Sequence, residues 1–513
     1  MKKFSRLASA LRTRRFSSGV ITAIIVMIAI VANMILYVLG TNYGWYFYSE
    51  EKIDTTITGA TDRLFDGLSK GEKGKVKVSF CMAEDDLEEH DFGANVLDTA
   101  RQLKERYPDF IELDFINIYT QKNSKGDTVN LKKYKLDENG KAVNAIVKTT
   151  VIFECGDRFR VVNDYATADG YSTFYTLDSS LNMTSYNGEE ILASMIAAVT
   201  REESLKAYIT TGHGETLSGS FTGMLSCAGY ELELVNIRDA ELNVNECDLL
   251  VISNPLTDFE KASEGSGLRT EIERLTDYVN NGGNVYITLD GYADTKKMSN
   301  FYEFLSGCGI EIMTSKTEKG QTLTSIVKDS LESVTPDGFT VIGGYADNEI
   351  TKRIEKNAKL FGTGKVLMRE SAALKCSGGA FPILTSSQSS ELSAGGNTVS
   401  SEGSYCMAAL ANVRESNSDD KIGTVFVASS AFVTAEDVII TDGYSNKDFI
   451  YSVLEEVFGA HRMPYGCEGI FFDSNTLEGL TMGTAAVYTA IAVAIPVAIA
   501  AVGVVIIVRR KYR

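Results

Sequence analysis

The run Gly212-His213-Gly214-Glu215 holds the residues best able to do chemistry: an imidazole two positions from a carboxylate, bracketed by glycine. A His beside a carboxylate can act as a base or hold a metal ion. The run follows an apolar strand pattern, AYITT, so it falls at the strand's carboxyl end, where open α/β sheets gather ligands. Asn254, Asp290 and Ser429 follow three other strand patterns and are expected at the same edge. The competing reading is that His213 and Glu215 hydrogen-bond to backbone and fix a tight loop. With only three histidines in the chain, and His90 and His461 beside unrelated elements, the loop-fixing reading carries more weight.

Other chemistry is sparse. The eight cysteines (81, 155, 227, 247, 308, 376, 406 and 467) show neither CxxC nor metal-ligand spacing. They sit beside apolar strands and read as buried thiols, with Cys376 and Cys406 the first pair to test for a disulfide. Cys247 precedes its strand and Cys227 ends a helix, so neither serves as a nucleophile at the sheet edge. Gly362-Thr363-Gly364-Lys365 lacks the flanking spacing and the Ser/Thr of a phosphate loop. No cofactor, no metal and no catalytic residue set is expected.

The elements that position these residues are legible from periodicity. KVKVSFCM (75–82) alternates as a strand, 94–107 is an amphipathic helix, and 111–118 is a second strand. A polar, Lys-rich stretch over 120–144 reads as an exposed excursion. Residues 149–162 read as a hairpin turning at Gly156-Asp157. This β-α-β-hairpin order over 50–165 resembles a thioredoxin-like module, without the cysteines that redox chemistry needs. From 186 to 460 helices alternate with apolar strands: a helix from Gly188 to about Thr200, strands at 207–211, 231–235, 248–255, 284–291 and 423–432, and helices at 221–228, 268–281 and 448–458. That alternation predicts a Rossmann-like, doubly wound parallel sheet.

Charge is segregated along the chain. Six Lys/Arg and no acid lie in a tail over 1–19, before an apolar run at 20–40. A second apolar run, 485–508, is followed by Arg509, Arg510, Lys511 and Arg513 in a tail over 509–513. All 68 Asp and Glu lie between the runs; setting aside the ten basic residues of the tails leaves 40 Lys and Arg there, a balance of −28. About 20 apolar residues suffice to span a bilayer, and basic flanks stay in the cytoplasm. The expectation is therefore a two-pass protein of the plasma membrane, both termini cytoplasmic, with an α/β domain outside and a membrane-proximal linker over 461–484. Tyr43, Trp45, Tyr46, Phe47 and Tyr48 follow the first run as an interfacial aromatic belt, and no small-x-small cleavage site does, so it reads as a retained anchor. Ala486, Ala490, Ala494 and Ala498 stripe the second run, and Pro496 interrupts it; both favour packing against a partner helix. The acidic balance argues against nucleic acid.

In order, NGEE before a helix, the strand with GHGE, DLLVISNP, then NNGG with NVYITLDG resemble the gliding-motility auxiliary component of an ABC transporter (Gldg-like), in the family called ABC-type uncharacterised transport system. AIPVAIAAVGVVIIVRRKYR is similar to that family's closing helix, with Pro496 and Gly503, and 50–165 resembles its thioredoxin-like leading domain. The resemblance implies a non-catalytic accessory membrane subunit that contacts envelope or glycan cargo, works with an ABC-2 type permease and leaves ATP hydrolysis to a separate cytoplasmic ATPase. At Ser429-Ser430-Ala431-Phe432 the chain lacks the acidic residue often seen in the family's Gly-Asp-Ser-like turn. The alternative function is a membrane-anchored extracytoplasmic hydrolase or glycan-binding protein using the edge around His213.

Overall fold

Alternating apolar residues in short strands, each followed by a helix with one apolar stripe, must bury two faces of a sheet at once. The computed structural model describes residues 54–472, apart from 69–73, 91–92, 137–143, 164–173, 178–182, 202–203, 262–268, 318, 415–420, 440–442, 461 and 468. The apolar runs at 20–40 and 485–508, with Ala486, Ala490, Ala494, Pro496, Ala498 and Gly503, lie outside the described residues. Among the described residues no helix is long and apolar enough to cross a membrane.

The first part runs α1 (Gly59–Leu64), β1 (Val76–Phe80), α2 (Glu84–Glu88), α3 (Gly93–Arg106), β2 (Ile111–Asn117), β3 (Lys122–Asn123), α4 (Lys132–Lys135), β4 (Val151–Cys155) and β5 (Arg158–Val162). These strands form one sheet in the order β3-β2-β1-β4-β5, with β1 and β2 parallel and β4 antiparallel to β1. Gly156 takes φ of 63° in the β4–β5 turn, a conformation open to glycine at little cost. The polar stretch over 120–144 is less exposed than its composition suggests: Leu131 and Tyr134 are buried against Cys81 and Ile152.

Next come β6 (Tyr175–Leu177), β7 (Met183–Tyr186), α5 (Gly188–Val199), β8 (Leu205–Thr210), α6 (Gly219–Cys227), β9 (Tyr230–Val235), β10 (Leu249–Ser253), α7 (Glu271–Asn280) and β11 (Asn284–Thr288). After α8 (Ser299–Gly307) the chain makes short strands β12 (Ile310–Ile312), β13 (Thr314–Lys316), β14 (Thr322–Thr324) and β15 (Ile326–Lys328), then β16 (Thr340–Tyr345), α9 (Glu349–Ala358), β17 (Val366–Arg369), β18 (Leu374–Cys376), β19 (Ala380–Thr385), β20 (Glu391–Ala394), β21 (Asn397–Thr398) and β22 (Cys406–Arg414). It closes with β23 (Ile422–Ala428), α10 (Glu436–Ile439), α11 (Asn446–Glu456) and β24 (Ile470–Phe471).

The main sheet has eleven strands, with the path β17-β16-β19-β22-β23-β11-β10-β8-β9 and β12 and β18 beside it. β9, β8, β10, β11 and β23 are mutually parallel. From β22 outward the neighbours are antiparallel, so the sheet is mixed where an all-parallel one was expected. The antiparallel strands β16, β17, β19 and β22 all belong to the segment inserted between β11 and β23, outside the run of alternating strands and helices that builds the parallel part.

Alternate residues of the parallel strands enter opposite cores. Ile209, Val251, Tyr286 and Phe426 join one, with Phe221 and Met224 of α6 and Phe449 of α11. Tyr208, Leu250, Ile252, Val285 and Val425 join the other, with Leu275 and Tyr278 of α7 and Phe301 and Phe304 of α8. The first core continues through α5 to Val76, Val78, Phe80, Val151 and Phe153 of the smaller sheet. Every α5 residue except Glu189 is buried, as a helix covered on all sides must be, and the described residues from Thr55 onward form one compact unit. Glu190, the acid inside that helix, is satisfied by Lys447 Nζ and Tyr451 Oη, each 2.6 Å away. Residues read as the start of a linker at 461–484 are folded in part: β24 pairs with β7.

Candidate functional site

The parallel order β9-β8-β10-β11-β23 reverses direction between β8 and β10, because the chain moves from β8 out to β9 and then returns to β10. The crevice at such a reversal is where ligands enter open α/β sheets. Two loops meet there, 211–217 after β8 and 254–258 after β10.

These loops are tied together rather than apart. Leu256 N and Thr257 N donate to His213 O at 2.8 and 3.0 Å, and Thr216 N donates to Ser253 O at 3.1 Å. Ser253 Oγ donates to Thr216 O at 2.6 Å, and Asn254 Nδ2 to Thr216 Oγ1 at 3.1 Å. Asn254 reaches this position with φ of 52°, a left-handed conformation that Asn tolerates better than most residues. Gly212 and Gly214 have φ of 112° and 75°, which explains why glycine brackets His213.

His213 is buried at 3 % exposure. Its Nδ1 lies 3.2 Å from Glu215 Oε1, and its Nε2 lies 3.2 Å from Oε2 of Glu271, the first residue of α7. Glu215 Oε2 also accepts from His213 N at 2.7 Å, and Glu271 Oε2 accepts from Glu260 N at 2.8 Å. The imidazole stacks on Phe259, centroids 3.8 Å apart, and Phe259 stacks on Phe301 at 4.7 Å. Asp258 fixes that aromatic pair by accepting from Phe301 N and Asn300 N, both at 3.0 Å.

Burial alone would lower the His213 pKa, but hydrogen bonds to Glu215 and Glu271 and their charges outweigh it and raise it to about 9. Burial likewise pushes Glu215 and Glu271 up, and the bonds to His213 and to backbone bring both below the usual carboxylate value. The group is therefore a protonated imidazole donating to two ionised carboxylates, with a cation resting on an aromatic face. Both ring nitrogens are committed as donors, so neither offers a lone pair to a substrate proton or to a metal. Among the described residues no set of three or more His, Cys, Asp or Glu is placed to hold a metal ion.

The other expected edge residues do arrive at the edge, because Ser253 pairs with Thr288 and Thr288 with Ala428 in register. Their side chains serve other ends. Asp290 accepts from Tyr292 N at 2.8 Å and so holds its own turn. Ser429 is wholly buried, and its hydroxyl lies 2.6 Å from Ala372 O and 2.7 Å from Met407 O, a tie between the insertion and the sheet. Of the five residues singled out, His213 and Glu215 touch, Asn254 braces their loop, and Asp290 and Ser429 stand apart from that clamp. The strand expected to reach 432 stops at Ala428, and a 3-10 turn follows at Ala431–Thr434.

Glu271 and Phe259 escaped the sequence reading. Thr270-x-x-Glu273 is a capping box and does mark the start of α7. Nothing in the spacing, however, says that the next acid along would reach a histidine 58 positions earlier.

No family model matches the chain, and no curated protein matches it. Solved structures with similar regions include the mmIFT52 N-terminal domain, 12 % identical, with 49 % of this chain and 96 % of that one covered at a TM-score of 0.36. PurLQS from Thermotoga maritima is 13 % identical over 49 % of this chain and 99 % of that one, at 0.26. A cytoplasmic protein from Salmonella typhimurium is 10 % identical over 49 % and 98 %, at 0.29. Likenesses this weak transfer neither fold nor function.

Proposed function

We propose that this chain is a non-catalytic accessory subunit of an ABC-2 type transport system, held in the plasma membrane by its apolar runs at 20–40 and 485–508. Its α/β body lies outside the cytoplasm and contacts envelope or glycan cargo. A separate permease provides the path and a separate cytoplasmic ATPase the energy. The body is read as a thioredoxin-like part carrying β1 to β5 and a Rossmann-like part built on the parallel strands.

One observation carries the non-catalytic half of this reading. The loops flanking the crevice between β8 and β10 are hydrogen-bonded to each other, and His213 is held there between Glu215 and Glu271. A site that turned over substrate there would need a free imidazole nitrogen and room beside it. Support for the membrane half comes from the sequence, where every acid lies between two apolar runs with basic outer flanks.

The test is purification of the full chain in mild detergent after crosslinking in cells. A multi-span permease and an ATPase are expected with it, and His213→Gln is expected to keep that complex if the variant folds. Recovery of the chain without either subunit overturns the transport assignment. Hydrolysis by the full chain that disappears in His213→Gln, with folding intact, replaces it by the hydrolase reading.

A further inference from the structure

Of the eight cysteines, six are buried: Cys81, Cys155, Cys227, Cys247, Cys308 and Cys467. Burial pushes Cys81 and Cys308 up to about 12, and raises Cys227, Cys247 and Cys467. The two that are partly exposed are the two that touch. Cys376 Sγ and Cys406 Sγ lie 3.9 Å apart, in van der Waals contact, though 30 positions separate them in sequence.

Register explains the contact. Leu374 of β18 stands opposite Cys406 of β22, and side chains two apart on a strand share a face. Cys376 therefore projects on the same side as Cys406, as its diagonal neighbour. The bond between them needs the sulfurs to close to roughly 2 Å. The surroundings permit that shift. β18 pairs with β22 at a single position, and the β19–β22 register slips near the same end, between Leu384 and Thr385.

We propose that Cys376 and Cys406 form a thiol–disulfide centre that, when oxidised, staples β18 to β22 within the inserted segment. The inference stands on this geometry and goes beyond the transport reading. Cys376 is the attacking thiol, because it ends β18 whereas Cys406 is flanked by β18 on one side and β19 on the other; their contact lowers the Cys376 thiol and raises that of Cys406, which burial raises further. With a low-molecular-weight disulfide as oxidant, the Cys376 thiolate attacks one sulfur, breaks that S–S bond and expels one small thiolate. Cys406, losing its proton, then attacks Cys376 Sγ and expels the second small thiol. Two protein thiols are oxidised and one small disulfide is reduced to two thiols. The loop so closed contains β19, β20 and β21, and β18 gains a second, covalent tie to β22.

The experiment takes the full chain, reduced and then exposed to oxidised glutathione at neutral pH. Thiols counted with a maleimide after denaturation are expected to fall from eight to six. A digest is expected to yield peptides carrying Cys376 and Cys406 joined, lighter by two hydrogen atoms, and melting is expected to rise by a few degrees. Cys406→Ser should instead stop at a glutathione adduct on Cys376, and Cys376→Ser should acquire none on Cys406. Eight thiols surviving, or losses mapping to other cysteines, would overturn the proposal. So would a glutathione adduct on Cys376 that Cys406 never resolves in the unaltered chain.

Discussion

At β8 and β10 the carboxyl-end edge of the parallel strands is closed by charge, with His213 protonated between Glu215 and Glu271. At β11 and β23 the same edge is closed by backbone, as residues 369–373 of the insertion lie across it. Ala372 N donates to Ser429 O, Ser429 Oγ bonds back to Ala372 O, and Glu370 O sits where a side chain on Gly291 would be. One closure is built from loops native to the sheet and centres on the titratable side chains of His213, Glu215 and Glu271. The other is imported by the segment 289–421 inserted between two neighbouring strands, and at Gly291, Ala372 and Ser429 it rests on groups that do not titrate near neutrality. One edge of the sheet is thus covered twice over, by unrelated means.

The charged closure gives the largest expected loss. His213→Ala leaves Glu215 and Glu271 buried without their cation, and removing one partner of such a group costs about 3–5 kcal/mol. A chemical-denaturation series on the full chain measures it; a loss under about 1 kcal/mol would show that the clamp is no tighter than a surface pair. The pH profile separates the two closures further. The His213 pKa is raised from 6.5 to about 9, so its contribution is complete below the unfolded value and fades as pH rises through about 9. Glu215 and Glu271 are lowered, so theirs is complete above the unfolded carboxylate value near 4.5 and fades as pH falls through their lower folded values. His213→Ala should flatten the alkaline limb relative to the unaltered chain, and an unchanged limb would place the titration elsewhere.

The backbone closure is tested next at Gly291. A Cβ there would lie 1.9 Å from Glu370 O, so Gly291→Ala must displace main chain rather than a flexible side chain. Overpacking of this kind costs about 1–3 kcal/mol. The loss should be the same at pH 6 and pH 8, roughly the neutral range over which no group at this contact titrates. A pH-dependent loss would mean that the two closures are coupled.

Sequence pattern reached one closure and missed the other for a physical reason. Strands at 76–80, 205–210, 249–253 and 284–288 follow from short apolar runs, and α3 and α7 follow from their helical apolar period, because those signals are local. His213 and Glu215 are two positions apart and were visible as a pair. Glu271 was not, because its partnership depends on the turn from β10 into α7 and on Phe259 stacking beneath the ring. The insertion resisted for a different reason. Strands of three residues such as β12 and β18 carry too few alternations to show a period, and their place in the sheet is decided by pairing across 64 positions. Ser429 looked like a ligand-edge residue because position on a strand end is legible, whereas what covers that end is not.

Ser429 therefore supplies the smallest and most discriminating of these effects. Its hydroxyl serves Ala372 O and Met407 O, but Ala372 N, Ser429 N and the strand register also hold that junction. Ser429→Ala removes one side-chain bond and leaves one carbonyl short of a donor, which costs about 1 kcal/mol in a buried setting. The remaining backbone bonds should keep the insertion seated, so amide exchange at Ala372 should quicken only in proportion to that loss. Were Ser429 instead a working group at an open edge, its removal would leave stability unchanged and alter binding or turnover. A loss well above the expected value would mean that the whole insertion lifts from β23 when one hydroxyl is gone, and the backbone closure would then be the weaker of the two.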